Sequence, residues 1–158
     1  MTHVTIGGRR FDMPSHGIAR ISAFEVEHRD ETSARLSLGP AEGTAHIYPL
    51  GFRLRVEYRI SDGALEVTAT VANEGEGPMP FQFGFHPAFV RPVPGGAGQA
   101  HSVRLEGEAA PDMRRPGPDG LMGAEVFPSP FRQGGVEIAK GMVAGGAMVC
   151  ERGAGSSV

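Results

Sequence analysis

Phe-Arg-Leu-Arg-Val-Glu-Tyr-Arg-Ile-Ser-Asp-Gly-Ala-Leu-Glu-Val-Thr-Ala-Thr-Val, residues 52–71, is the stretch that decides the fold. Phe52, Leu54, Val56, Tyr58 and Ile60 fall on one face of an extended chain, and Arg53, Arg55, Glu57 and Arg59 on the other, because strand side chains alternate with period two. After Ser61-Asp62-Gly63, Leu65, Val67, Ala69 and Val71 repeat the alternation against Glu66, Thr68 and Thr70. Two alternating runs around such a turn read as a hairpin of antiparallel strands, 52–60 and 64–72, each with one buried and one wet face.

Working outward, Ala23 to His28 and Ala34 to Leu38 alternate on either side of Arg29-Asp30-Glu31-Thr32 and should pair antiparallel. Val4 and Ile6, then Gly7-Gly8, then Arg10-Phe11 read as a hairpin-like opening that leads into the loop Met13-Pro14-Ser15-His16-Gly17. On the other side, Asn73 to Pro80 is a loop delivering the chain to an aromatic run. There Phe81, Phe83 and Phe85 share one face and Gln82, Gly84 and His86 the other. The spacing predicts a strand over 79–87 beside the hairpin, ending where Pro87 pushes His86 out of the helical region and removes a ladder donor. Further on, short strands are expected at Ser102 to Glu106, Val136 to Ile138 and Ala147 to Glu151, while the five prolines between 109 and 135 forbid a long regular element. No segment sustains a 3.6-residue apolar period, so helix content should be low. Short alternating strands separated by turns argue for an all-β antiparallel sandwich or barrel.

Composition bounds the function. The 158 residues, 40% of them apolar, suit a single domain with a real core, and 24 glycines with 13 prolines suit many turns. A formal charge of −3 with no run of Lys and Arg speaks against a nucleic-acid partner. Cys150 is the single cysteine, so an internal disulfide is excluded, which fits a reducing compartment. The first ten residues lack an apolar export core, and no apolar run approaches the roughly 18 residues of a membrane span; the expectation is a cytoplasmic protein with no membrane partner.

Chemistry-bearing residues are few. His86, at the lip of the aromatic strand, is either a partly exposed histidine satisfied by a neighbour or a proton-transfer group, since imidazole titrates near neutral pH. His16 precedes Gly17 in a loop, and on the residues alone it reads as a loop histidine touching only solvent. His3, His28, His46 and His101 are scattered without a metal-ligand spacing. Neither a phosphate-binding glycine motif nor a Gly-x-Ser-x-Gly nucleophile turn is present, so no metal and no cofactor is expected.

Met-Pro-Ser-His-Gly-Ile-Ala-Arg (13–20), the run from Tyr48 to Ile60, Leu65 to Gly75, and Pro78 to Phe89 with its Gly-Phe-His-Pro-x-Phe resemble, in order and spacing, the central part of the aldose 1-epimerase (galactose mutarotase-like) family. The resemblance implies an antiparallel β-sandwich and a partial, single mutarotase-like domain over 1–158. It implies interconversion of the α and β anomers of an aldohexose, or of a hexose phosphate, by acid/base ring opening. His86 takes the place of the acid that protonates the ring oxygen. His16 takes the place of a sugar-contacting histidine. Arg20 is a candidate for sugar hydroxyls or a phosphate, or else a surface ion pair; Phe89 could stack on a pyranose, but the core is its expected place. Relative to the family, the chain begins after an arginine-bearing segment and ends before the region of the catalytic glutamate. Glycine stands near 145–146 where relatives carry a sugar-binding aspartate. The expectations are therefore an isomerase impaired by truncation or, from another class, a non-catalytic carbohydrate-binding sandwich or inactive remnant. A small sugar is the expected partner, and unpaired sheet edges make self-association a further expectation.

Overall fold

The computed structural model describes residues 2–106, 110–117, 122–139, 141–142 and 149–151. The chain divides into two compact units, Met1–Phe83 and Gly84–Val158. The regular elements among the described residues are strands, apart from one 3₁₀ turn, Ala19–Ile21.

In the first unit, β1 (Thr2–Ile6) pairs antiparallel with β2 (Arg9–Met13), and β3 (Glu25–Arg29), β4 (Ser33–Leu38), β5 (Phe52–Ser61) and β6 (Ala64–Asn73) form a four-stranded antiparallel sheet in sequence order. The hairpin read from residues 52–71 is there in full register, from Phe52 opposite Asn73 to Ser61 opposite Ala64. Its turn residues Asp62 and Gly63 both have positive φ, 50° and 75°. That is the backbone sign a two-residue turn needs to match the twist of its strands. Gly7-Gly8 makes the same turn between β1 and β2. The pairing of 23–28 with 34–38 also holds, with one irregularity: the register slips between Val26 and His28, so Glu27 is the extra residue of a bulge.

The apolar face of this sheet builds the unit's core. Leu38, Phe52, Leu54 and Val56 are buried, and Ile18, Phe24, Tyr48, Val71 and Met79 pack on them. Burial fades toward the 62–63 turn, where Ile60 and Leu65 are exposed. The opposite face is an ion-pair lattice: Arg53 with Glu74 at 2.8 Å, Arg55 with Glu27 at 2.7 Å and Arg35 with Glu57 at 2.6 Å. The arginines hold Glu27 and Glu74 below the usual carboxylate range, because an adjacent cation favours the charged form.

The second unit holds β7 (Ser102–Arg104) paired with β9 (Gly135–Glu137), and β8 (Asp112–Arg114) paired with β10 (Val149–Glu151), all antiparallel. The expected strands at 102–106, 136–138 and 147–151 thus appear in shortened form; of the last, residues 147 and 148 lie outside the described residues. Among the described residues from 110 to 134, the three of β8 are the ones in a strand. Met113, Phe131 and Val136 are buried at the centre, with Leu105, Phe127 and Ile138 against them.

One expectation fails. Residues 78–90 form no strand, so 79–87 does not join the hairpin and His86 is not at a strand lip. In an antiparallel ladder every second residue sends its N–H to the same edge. Pro78 and Pro80 are two apart and delete consecutive donors on one edge, and Pro87 deletes another. The aromatic alternation buries neither face: Phe81, Phe83 and Phe85 are all exposed.

Candidate functional site

His16 sits at the third position of a turn closed by the Gly17 N–H donating to the Pro14 carbonyl at 2.9 Å. Its φ is +68°, followed by +69° at Gly17. Left-handed backbone costs an ordinary residue about 1–2 kcal/mol, histidine being among the more tolerant. The sequence therefore spends a strained position on an exposed imidazole, a pattern concentrated at functional sites. The chain then enters the 3₁₀ turn Ala19–Ile21, tied down by the Ser22 hydroxyl donating to the Ile18 carbonyl at 2.8 Å. Arg20 is exposed on this turn, and among the described residues no ion pair is formed with it.

His86 and Phe89 belong to the second unit, three positions apart in an exposed stretch. Phe89 is 80% exposed, which overturns its expected place in the core. Pro87 and the exposed run 80–90 leave it no apolar layer to enter. His16 and Arg20 belong to the first unit.

Tyr48 was not singled out from the sequence. Its hydroxyl donates to the Pro80 carbonyl at 2.8 Å, and its ring meets Phe52 edge-on with centroids 5.5 Å apart. Desolvation raises its pKa. The contact anchors the start of the aromatic run onto the core; a proline carbonyl, two lone pairs and no donor of its own nearby, was the available signal. At the other end of β6, the Asn73 side chain accepts from the Gly75 N–H at 2.9 Å and donates to the Gly77 carbonyl at 2.8 Å, shaping the exit loop. Gly51 lies against this loop so closely that a Cβ there would meet the Gly75 nitrogen at 3.1 Å.

A polar depression in the first unit is lined by residues including His28, Asp30, Arg35, Glu57, Arg59 and Glu66, and by none of His16, Arg20, His86 or Phe89. Its charges are mostly committed to one another. Asp30 accepts from the His28 ring at 2.9 Å, from the backbone N–H groups of Thr32 and Ser33 at 2.8 and 2.7 Å, and from the Ser33 hydroxyl at 2.8 Å. These donors, the His28 ring foremost, hold the Asp30 carboxyl far below its ordinary value. The cluster is a clasp for the β3–β4 turn. Among the described residues no group of three or more His, Cys, Asp and Glu is placed to hold a metal, and no helix is long and apolar enough to cross a membrane.

Two solved structures share this architecture. A galactose mutarotase related enzyme from Lactobacillus acidophilus superposes with a TM-score of 0.74 at 24% identity, over 95% of this chain and 50% of its own. A galactose mutarotase-like protein from Lactobacillus casei gives 0.73 at 27% identity, over 91% of this chain and 50% of its own. The fold is thus the all-β, antiparallel sandwich of galactose mutarotase-like proteins. By sequence, the plasmid and chromosomal forms of protein LacX from Lactococcus lactis are each 34% identical over 79 residues, 49% of this chain and 26% of theirs. The chain spans about half the length of the solved relatives, and its match covers about a quarter of the LacX proteins. The sequence model of aldose 1-epimerase matches residues 7–114, and the chain belongs to that family.

Proposed function

We propose that the chain carries the acid and part of the sugar-contacting surface of an aldose 1-epimerase-like isomerase acting on an aldohexose or its phosphate. The observation that carries this reading is the family match over residues 7–114, which takes in His16, Arg20, His86 and Phe89 together. Ring opening needs one group to take the anomeric hydroxyl proton while another protonates the ring oxygen, and the roles reverse on closure. Each positioned group contributes about 10²–10⁴-fold, most effectively with a pKa near the working pH, as histidine has unaided. His86 is the acid in this scheme. His16, held ready by its turn, donates to or accepts from a sugar hydroxyl, and Arg20 answers hydroxyls or a phosphate. The exposure of Phe89 favours stacking on the apolar face of a pyranose over packing.

The test follows anomer exchange of glucose and galactose by NMR, with saturation transfer to read binding. The sugar should bind, binding should weaken in His16→Ala, and whatever exchange exceeds the buffer rate should vanish in His86→Asn with the fold intact. Binding indifferent to both His16→Ala and His86→Asn would remove the sugar-contacting role from these residues. Exchange indifferent to His86→Asn would remove the acid role.

A further inference from the structure

The two edges of the four-stranded sheet are built differently. β3 is five residues long, interrupted by the Glu27 bulge and carrying Glu25, Glu27, His28 and Arg29. Bulges and charges of this kind protect an edge from pairing. β6 is ten residues long, in unbroken register with β5, and Glu66 is its sole ionisable residue. It contains no proline, and among the described residues no strand pairs with its outer side.

The phase of that outer side follows from the ladder. The Glu74 N–H donates to the Gly51 carbonyl at 3.0 Å, and Ile60, opposite Leu65, sends its N–H to the Thr32 carbonyl at 2.8 Å on the β4 side. Even-numbered residues of β6 therefore bond to β5, and Leu65, Val67, Ala69, Val71 and Asn73 present their backbone N–H and C=O outward.

We infer that this edge pairs with the same edge of a second copy of the chain, β6 against β6 antiparallel, about a two-fold axis through Ala69. Only an alignment that sets odd residues opposite odd residues makes hydrogen bonds. Among these, the one centred on Ala69 pairs every outward-facing residue, with Leu65 opposite Asn73, Val67 opposite Val71 and Ala69 opposite itself. The side chains agree with it: Thr68 meets Thr70, the valines meet each other, and Glu66 meets Ala72, so no like charges face across the axis. β-Branched and Thr–Thr cross-strand pairs are favourable ones. The contact is isologous and closes. The outermost strands of the resulting eight-stranded sheet are the two bulged, charged β3 strands, which halt growth at a dimer.

Sedimentation of the 158-residue chain across a wide concentration range should show a monomer–dimer equilibrium. Ala69→Pro removes an outward N–H without touching the β5 ladder, and should weaken the dimer by about tenfold or more. As a check independent of that variant's folding, Thr68→Cys with Thr70→Cys in a Cys150→Ser background places thiols at facing, non-hydrogen-bonded positions about 4.5 Å apart in Cα. Mild oxidation should then link two chains, whereas Glu66→Cys with Thr68→Cys in the same background should link far less. A chain monomeric at all concentrations, or a dimer that neither Ala69→Pro weakens nor the 68/70 pair cross-links, would overturn the inference.

Discussion

Single residues carry the sharpest tests. Asp30 closes the β3–β4 turn by accepting from His28, Thr32 and Ser33 at once. Its carboxyl lies well below the ordinary 3.8 because those donors favour the ionised form, His28 first. A group whose folded pKa is depressed adds stability above its unfolded pKa and loses it as pH falls toward the folded value. Asp30→Ala should therefore lower the melting temperature at neutral pH, and its gap from the wild type should be undiminished at pH 5 and narrow progressively below about pH 4. A gap constant from pH 6 to pH 2 would mean that the clasp does not depend on charge. His16 makes the opposite trade. With φ at +68° the site suits glycine, so His16→Gly should leave thermal stability within about 1 kcal/mol of the wild type while lowering sugar affinity, a split readable by melting and saturation transfer on the same samples.

At the level of elements, the 52–72 hairpin was legible because one face is apolar and the other charged; a one-residue slip would expose all of Phe52, Leu54 and Val56. The adjoining 23–28 and 34–38 pair was legible for the same reason, though not its bulge, since Glu27 looks like any polar residue of an alternating run. The aromatic run misled. Its period-two pattern is as clean as that of the hairpin, but alternation records which side chains could share a face and says nothing of whether a partner strand or donors exist, and prolines at 78, 80 and 87 outweigh it. Of the candidate site, motifs nominate His16 and His86 as candidates, whereas the Tyr48 contact joins residues 32 positions apart and leaves no local pattern to read. Two substitutions test the observed elements. Leu54→Ala should cost about 2–5 kcal/mol in chemical denaturation, Leu54 being buried between β4 and β6. Gly51→Ala would press its methyl on the Glu74–Gly75 backbone at 3.1–3.3 Å and should cost about 1–3 kcal/mol by overpacking, against nearly none for Gly63→Asn, where positive φ is tolerated and no atom lies within 4 Å.

For the molecule as a whole, the proposed reading gives His86 the acid's role and gives no carboxylate of residues 1–158 the role of the family's glutamate. Without a partner base the exchange rate should fall by about 10²–10⁴-fold, so this chain alone is expected to show little mutarotation above buffer. Robust turnover would show that a base lies within these residues. The molecule also offers its own optical probe. It has two tyrosines and no tryptophan; Tyr58 is exposed, and Tyr48 is half-buried with its hydroxyl committed to the Pro80 carbonyl. Near-ultraviolet circular dichroism between roughly 275 and 285 nm, where phenols held in an asymmetric setting give signal, reads both rings, and Tyr48→Phe isolates the share of Tyr48. Signal change on adding sugar, absent in Tyr48→Phe, would make that phenol a label-free reporter of whether the segment leading to His86 shifts when its ligand arrives.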